Sequence, residues 1–287
     1  MTTAAPDAPV PGDDRILTYT RVLAVVIVPF LVVAAVLLYV FPGTTDVTFS
    51  WTVVPAPSAM LLASAYIGGI WFFVLVLRVG RWHRMRHGFP AVLLFATLAG
   101  IATFLHWDRF HFGHVSFITW VVLYVTTPFL VLAAILLQRG HDPGTPDARD
   151  ARIPLAWRVL LVAVGLAATA TGLVLFVLPS LLVDRWAWEL TPLTARIVGA
   201  VLTLPGLVNV WMIRDDRWSA YRWVFQAQLV SLAAILLAIA LANADLAWDR
   251  PAAWIATIGF ACSFVAYLAF YLVFDRLARR AAPAAAS

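Results

Sequence analysis

The sequence predicts an all-α membrane protein of eight transmembrane helices, arranged as two tandem parallel four-helix repeats with both termini cytoplasmic. Three observations predict it. The chain of 287 residues is 63% hydrophobic with a mean hydropathy of +0.89, where a soluble domain holds roughly 45–50% apolar residues. Eight apolar runs are each long enough to cross about 30 Å of hydrocarbon at ~1.5 Å per residue. Arginine is concentrated in alternate loops, as the positive-inside rule requires.

Residues 1–14 are rich in Ala, Pro and Asp and lack the basic start of a secretory signal, so they are expected to form a disordered cytoplasmic tail. The first repeat, 15–138, holds spans near Val22–Phe41, Ala56–Leu77, Phe89–Leu105 and Val115–Leu137. A polar linker, 139–156, carries RGHDPGTPDARDARIP and reads as a cytoplasmic connector. The second repeat, 157–276, holds spans near Val159–Leu178, Leu193–Ile213, Tyr221–Leu241 and Ala252–Phe274, and a cytoplasmic tail, 277–287, follows.

The repeat emerges when the chain is laid on itself at an offset of 137 residues: Arg21 falls on Arg158, Pro42 on Pro179, Trp51 on Trp188, Pro55 on Pro192 and Gly69 on Gly206. With four residues inserted in the second half, Arg81-Trp82 falls on Arg222-Trp223 and Trp107-Asp108-Arg109 on Trp248-Asp249-Arg250. Four spans per unit make the copies parallel, related by a pseudo-two-fold along the membrane normal.

All basic charge is arginine, twenty residues with no lysine. Its distribution sets topology rather than marking a nucleic-acid surface. The absence of lysine excludes a retinal Schiff base. Cys262 is the only cysteine and reads as packing. No carboxylate stands near the middle of a span, so the relay of an ion-coupled carrier is not visible. There is no Walker loop, GxSxG, CxxC or CxxCH motif.

The densest signal is VDRWAWELTPLTAR, from Val183. Thr191 is an N-cap and Pro192 a first-turn residue. Trp51, Trp186 and Trp188 are expected at headgroup depth as interfacial anchors. Arg196 lies one turn inside the membrane and calls for a partner, for which Asp184, Glu189 and Asp249 are the candidates. Paired interruptions at Gly68-Gly69 and Pro205-Gly206 mark either close helix packing or a transporter-like site. The candidate ligand-binding set is therefore Arg196, Trp188, Glu189, Asp249 and Asn209; Gln226 and Gln228 are further donors that could line a cavity. The loop HWDRFHFGH offers His106, Asp108, His111 and His114 as ligands for zinc or another borderline metal ion, though without a specific spacing.

The segments ELTPLTARIVGA and RDDRWSAYRWVFQAQL resemble uncharacterised multi-pass membrane proteins of actinobacteria and related bacteria, which share the TPLTAR element and a charged turn before RWSA. The likeness covers chiefly residues 186–235. It implies the topology and the importance of Thr191, Pro192 and Arg196, and no activity.

Three functions remain open from the sequence. The first is binding or transport of a small anionic or amphipathic solute between the repeats of a multi-pass protein of the cell membrane. The second is a non-catalytic scaffold or accessory subunit, with lipid or a partner subunit as its contacts. The third is a metal-dependent enzyme at the His-rich loop; the balance is against an enzyme.

Overall fold

In the computed structural model, which describes residues 13–281, the apolar runs become eight helices long and apolar enough to cross a membrane. These are α1 (Thr18–Val40), α2 (Ala56–Val79), α3 (Phe89–Leu105), α4 (Val115–Leu137), α5 (Leu155–Val177), α6 (Pro192–Ile213), α7 (Arg222–Leu241) and α8 (Pro251–Arg280). No strand forms among the described residues, only isolated bridges between Arg15 and Arg81 and between Arg152 and Arg217. The expected N-terminal tail lies outside the described residues except for Asp13 and Asp14, as do 282–287 of the C-terminal tail; 277–280 are the last turn of α8.

The helices do not divide into two separate bundles. The most extensive contacts of α2 are with α1 and α7, and α3 packs on α4 and on α6. On the other side α5 packs on α6 and α8 on α7. Contacts α1–α2, α2–α7 and α3–α4 thus have counterparts in α5–α6, α6–α3 and α7–α8. Burial follows: 67% of the apolar window of α2 and 56% of those of α3 and α6 are buried, against 17% for α4 and α8. Exposed Val, Leu and Phe on the outer helices form the surface that faces lipid.

Two faces close the bundle. The near face carries Asp14 and residues 80–88; the far face carries residues 41–55 and 178–191. At the near face Trp82 N–H donates to the Asp14 carbonyl at 2.8 Å and Ile16 N–H to Gly80 at 3.0 Å. Residues 151–153 repeat this against 216–218: Trp218 N–H donates to Ala151 at 2.9 Å and Ile153 N–H to Asp216 at 2.8 Å. At the far face His111 N–H meets the Ser50 carbonyl and Ala247 N–H the Ala187 carbonyl, each at 2.9 Å.

These pairs place Arg217-Trp218, one residue short of the 137-residue offset, in the hydrogen-bonded position that Arg81-Trp82 holds, where residue identity matched Arg222-Trp223. A short turn follows α3 at Trp107–Arg109 and α7 at Asn243–Asp245, with Trp248 beyond the second. The dipeptide Arg-Trp occurs at both 217 and 222, and hydrogen bonding separates the two where letters do not.

The helix interruptions are unequal. α6 ends its first segment at Leu202 and restarts at Leu204, because Pro205 lacks the amide that would continue the ladder. The freed turn is partly satisfied by Thr203, whose hydroxyl donates to the Ala200 carbonyl at 2.7 Å. α2, expected to break at Gly68-Gly69, runs unbroken, since glycine keeps its amide. Gly68 is used for proximity: a Cβ there would stand 2.8 Å from that of Ser231 on α7.

The closest approach joins α5 and α6, where a Cβ on Gly172 would lie 2.5 Å from the Gly199 carbonyl oxygen. Within a bilayer such small-residue contacts supply dispersion energy that hydrophobicity cannot. Replacing Gly199 with leucine is expected to force these backbones apart at a cost of about 1–3 kcal/mol or more. Thermal melting of the detergent-solubilised protein measures it, and an unchanged midpoint would refute the contact.

Candidate functional site

The far-face residues singled out by the sequence do not converge. Thr191 caps α6 as expected, its hydroxyl accepting from the Thr194 amide at 3.2 Å. Arg196 finds none of the three expected acids. Its Nη1 lies 2.6 Å from His106 Nε2 at the end of α3, while its Nε is buried and unpartnered among the described residues. Burial and the adjacent Arg196 both lower the His106 pKa, consistent with a neutral ring accepting from the guanidinium. Glu189 pairs instead with Arg250, Oε1 to Nη2 at 2.5 Å, and Asp249 is exposed.

Trp51 and Trp188, expected at headgroup depth, are each only 2% exposed. Trp188 Nε1 donates to Ser58 Oγ of α2 at 2.8 Å, and Trp51 packs edge-on against Trp120 with Phe49 and Phe110 beside it. The far-face loops fold inward over the bundle, so these rings fill its end. Asn209 is also buried, but as a clasp: its Nδ2 donates to the Leu161 carbonyl at 2.8 Å and to the Tyr267 hydroxyl, tying α6 to α5 and α8.

The His-rich loop disperses its imidazoles. His106 meets Arg196, His111 Nδ1 donates to the Phe49 carbonyl at 2.9 Å, and His114 caps α4 by accepting from the Ser116 amide at 3.2 Å. Asp108 pairs with neighbouring Arg109 in solvent. Among the described residues no three metal-ligating side chains are gathered, so these four do not form the expected metal set. Each turn satisfied its own backbone first.

An apolar cavity lies in the core. A cavity of about 260 Å³, just below the ~300–1,000 Å³ of small-molecule sites, is lined by residues from all eight helices. Its wall is almost wholly apolar and includes Ala65, Gly68 and Gly69 of α2 and the Leu204-Pro205 restart of α6. Among the described residues no charged side chain lines it. The exceptions to its apolar character are few: Tyr66 and Tyr124 with hydroxyls 2.7 Å apart, Thr127, Ser231, Ser263, Tyr267 and Gln228. Such a space holds an apolar body with a neutral polar group and excludes an unpaired ion. Arg196, Trp188, Glu189, Asp249 and Asn209 are not part of its wall.

The densest polar arrangement stands at the near face, and sequence reasoning missed it. Asp14 Oδ1 accepts from the His83 amide at 2.8 Å, and its Oδ2 lies 2.5 Å from His83 Nδ1. Across the same ring Asp147 stands 3.3 Å from Nε2, an ionic contact without hydrogen-bond alignment, and is itself held by Arg84 at 2.7 Å. Burial acts to lower the His83 pKa, but its hydrogen bond to Asp14 and the carboxylates of Asp14 and Asp147 on either side outweigh that and push it up to about 9.

Beside this trio Arg217 donates to Asp215 at 2.8 and 2.9 Å and to Asp142 at 2.7 and 3.0 Å. Arg86 reaches the same two carboxylates at 3.0 and 2.5 Å. Burial opposes ionisation of Asp215, yet Arg217 and His87 hold its pKa well below the usual carboxylate range. Asp142 is held low against burial by Arg217, the Gly144 amide and Arg86, and the bond to Asp215 raises Arg217 in turn. Asp150 accepts from the Ser219 amide and hydroxyl at 2.9 and 2.6 Å.

The expected passive linker is therefore a strap, fastened by Asp142, Asp147 and Asp150 across the near ends of the helices. Its signal in the sequence was aspartate alternating with arginine in HDPGTPDARDAR and RDDRW. It locks loops together and offers no open site. No protein-family model, no curated protein and no solved structure matches this chain.

Proposed function

We propose that this is a multi-pass protein of the cell membrane that binds a small amphipathic molecule in its core cavity, between two tandem parallel four-helix units with cytoplasmic termini. The observation that carries the reading is the apolar cavity itself, to which every helix contributes wall and in which no charge stands. That lining favours an amphipathic over an anionic ligand, since an anion would lack a cation partner in the hydrocarbon. The repeat is supported by the hydrogen bonds that recur at corresponding positions of the two halves and by the matching helix contacts. Cytoplasmic placement of the near face is supported by its wealth of arginine, against Arg109, Arg185, Arg196 and Arg250 towards the far face.

Filling the cavity tests the function. Native mass spectrometry of protein extracted with its membrane is expected to reveal a bound small molecule, lost from Ala65→Trp and from Ala168→Phe, which intrude from different walls. Equal occupancy in wild type and both variants, each folded by circular dichroism, would reject the cavity as the site. Absence of any such molecule would return the protein to the scaffold reading.

A further inference from the structure

Gln228 sets the polar chemistry of the cavity. It sits on α7 in the cavity wall, and both its amide nitrogen and its amide oxygen are buried without a partner among the described residues. Thr127 and Ser263 also place hydroxyls in the wall without a hydrogen bond among the described residues, but Gln228 is the wall residue with both a donor and an acceptor atom buried and unmet, and other polar side chains nearby bind neighbouring helices. Gln226 donates to Tyr271, Ser231 Oγ donates to the Ser64 carbonyl at 2.9 Å, and Asn209 clasps Leu161. A buried carboxamide that lacks both partners loses hydrogen bonds that water would have given it, so its place in an apolar wall calls for a ligand.

The second contributor is the tyrosine pair. Two hydroxyls 2.7 Å apart use one proton between them, and among the described residues neither the Tyr66 nor the Tyr124 hydroxyl makes another hydrogen bond, so one O–H donor is unspent. Gly68 of α2 abuts Ala227 and Ser231 of α7, which puts Tyr66 and Gln228 within about one helical turn, ~5.4 Å, of the same depth. The cavity wall at this depth therefore offers donors from Gln228 and a tyrosine, and one strong acceptor, the Gln228 oxygen.

We propose that the cavity binds a neutral lipid-like molecule bearing a hydroxyl group, whose oxygen accepts from Gln228 or the tyrosine pair and whose proton is donated to the Gln228 carbonyl. A carboxylate or phosphate would find no cation in this wall. A ketone, ester or quinone would satisfy the donors and leave the Gln228 oxygen unmet. A hydroxyl satisfies both halves. This inference rests on the cavity-binding reading, and the test separates the two.

Purified full-length protein is equilibrated with 1-decanol or with decane in one detergent, desalted, and its retained probe measured by gas chromatography against protein-free micelles. Wild type is expected to prefer decanol over decane by about tenfold relative to micelles, the effect of a hydrogen-bonded pair left unmet by the alkane. Gln228→Leu, of similar volume, is expected to abolish the preference while still retaining decane. Equal enrichment of both probes in wild type, lost in Ala65→Trp, would overturn the hydroxyl assignment and leave cavity binding intact. Enrichment of neither would overturn cavity binding itself.

Discussion

Arg217→Met is expected to destabilise the protein by about 3–5 kcal/mol, the cost of removing one partner from a buried ionic group. The Arg217 side chain is 7% exposed, and its loss leaves Asp142 and Asp215, both about as buried, to share the Arg86 guanidinium, with His87 beside Asp215. The strap would lose the Thr145 carbonyl contact as well, at 3.1 Å. Equilibrium unfolding in mixed micelles measures the loss. Adding Asp215→Asn to Arg217→Met should recover part of it, because a neutral amide is cheaper to bury than an orphaned carboxylate. A loss below about 1 kcal/mol, the range of an exposed pair, would mean that water reaches the cluster and the lock is loose.

Alkaline pH is expected to loosen the same face through a different group. Because the folded-state pKa of His83 is raised to about 9 from an ordinary value near 6.5, the stabilisation is fully present below pH ~6.5 and fades as pH rises through about 9. Its size is about 3 kcal/mol by linkage, and with His83 only 2% exposed solvent screening takes little from it. The carboxylates act in the opposite direction: Asp142, Asp147 and Asp215 are held low, so their stabilisation is present above pH ~4 and lost as pH falls below it. Stability should thus peak near pH ~6.5, decline on the alkaline side as His83 deprotonates, and decline on the acid side first through His106, whose pKa is held low, and then through the carboxylates. His83→Asn should remove the alkaline decline; a decline that persists unchanged would assign it elsewhere.

What could be read from the sequence was set by range. Apolar runs and local caps act over a few turns, so the eight helices, the Thr191 cap and the proline break in α6 were all legible. The near-face lock was not, because Asp14, His83, Asp142 and Arg217 come from four segments that meet only when the bundle closes. Arginine carried two meanings at once there, topology and pairing, and only the first is visible in a string of letters. Trp188 misled for a related reason. An aromatic ring next to a polar loop reads as interfacial, and only the fold shows that Ser58 waits for its indole inside. The cavity was half legible: Gln228, Gly68 and Pro205 were conspicuous singly, and their shared wall was not.

The crossed contacts, α2 on α7 and α3 on α6, also dictate an order of events during synthesis. When the first four helices have entered the bilayer, the inner sides of α2 and α3 still face lipid, and Gly68 has no Ser231 to meet. The early half can pair α1 with α2 and α3 with α4, but its inner faces stay open until the late half arrives. A chain stopped at the strap therefore leaves the membrane with half an interface and nothing to close it.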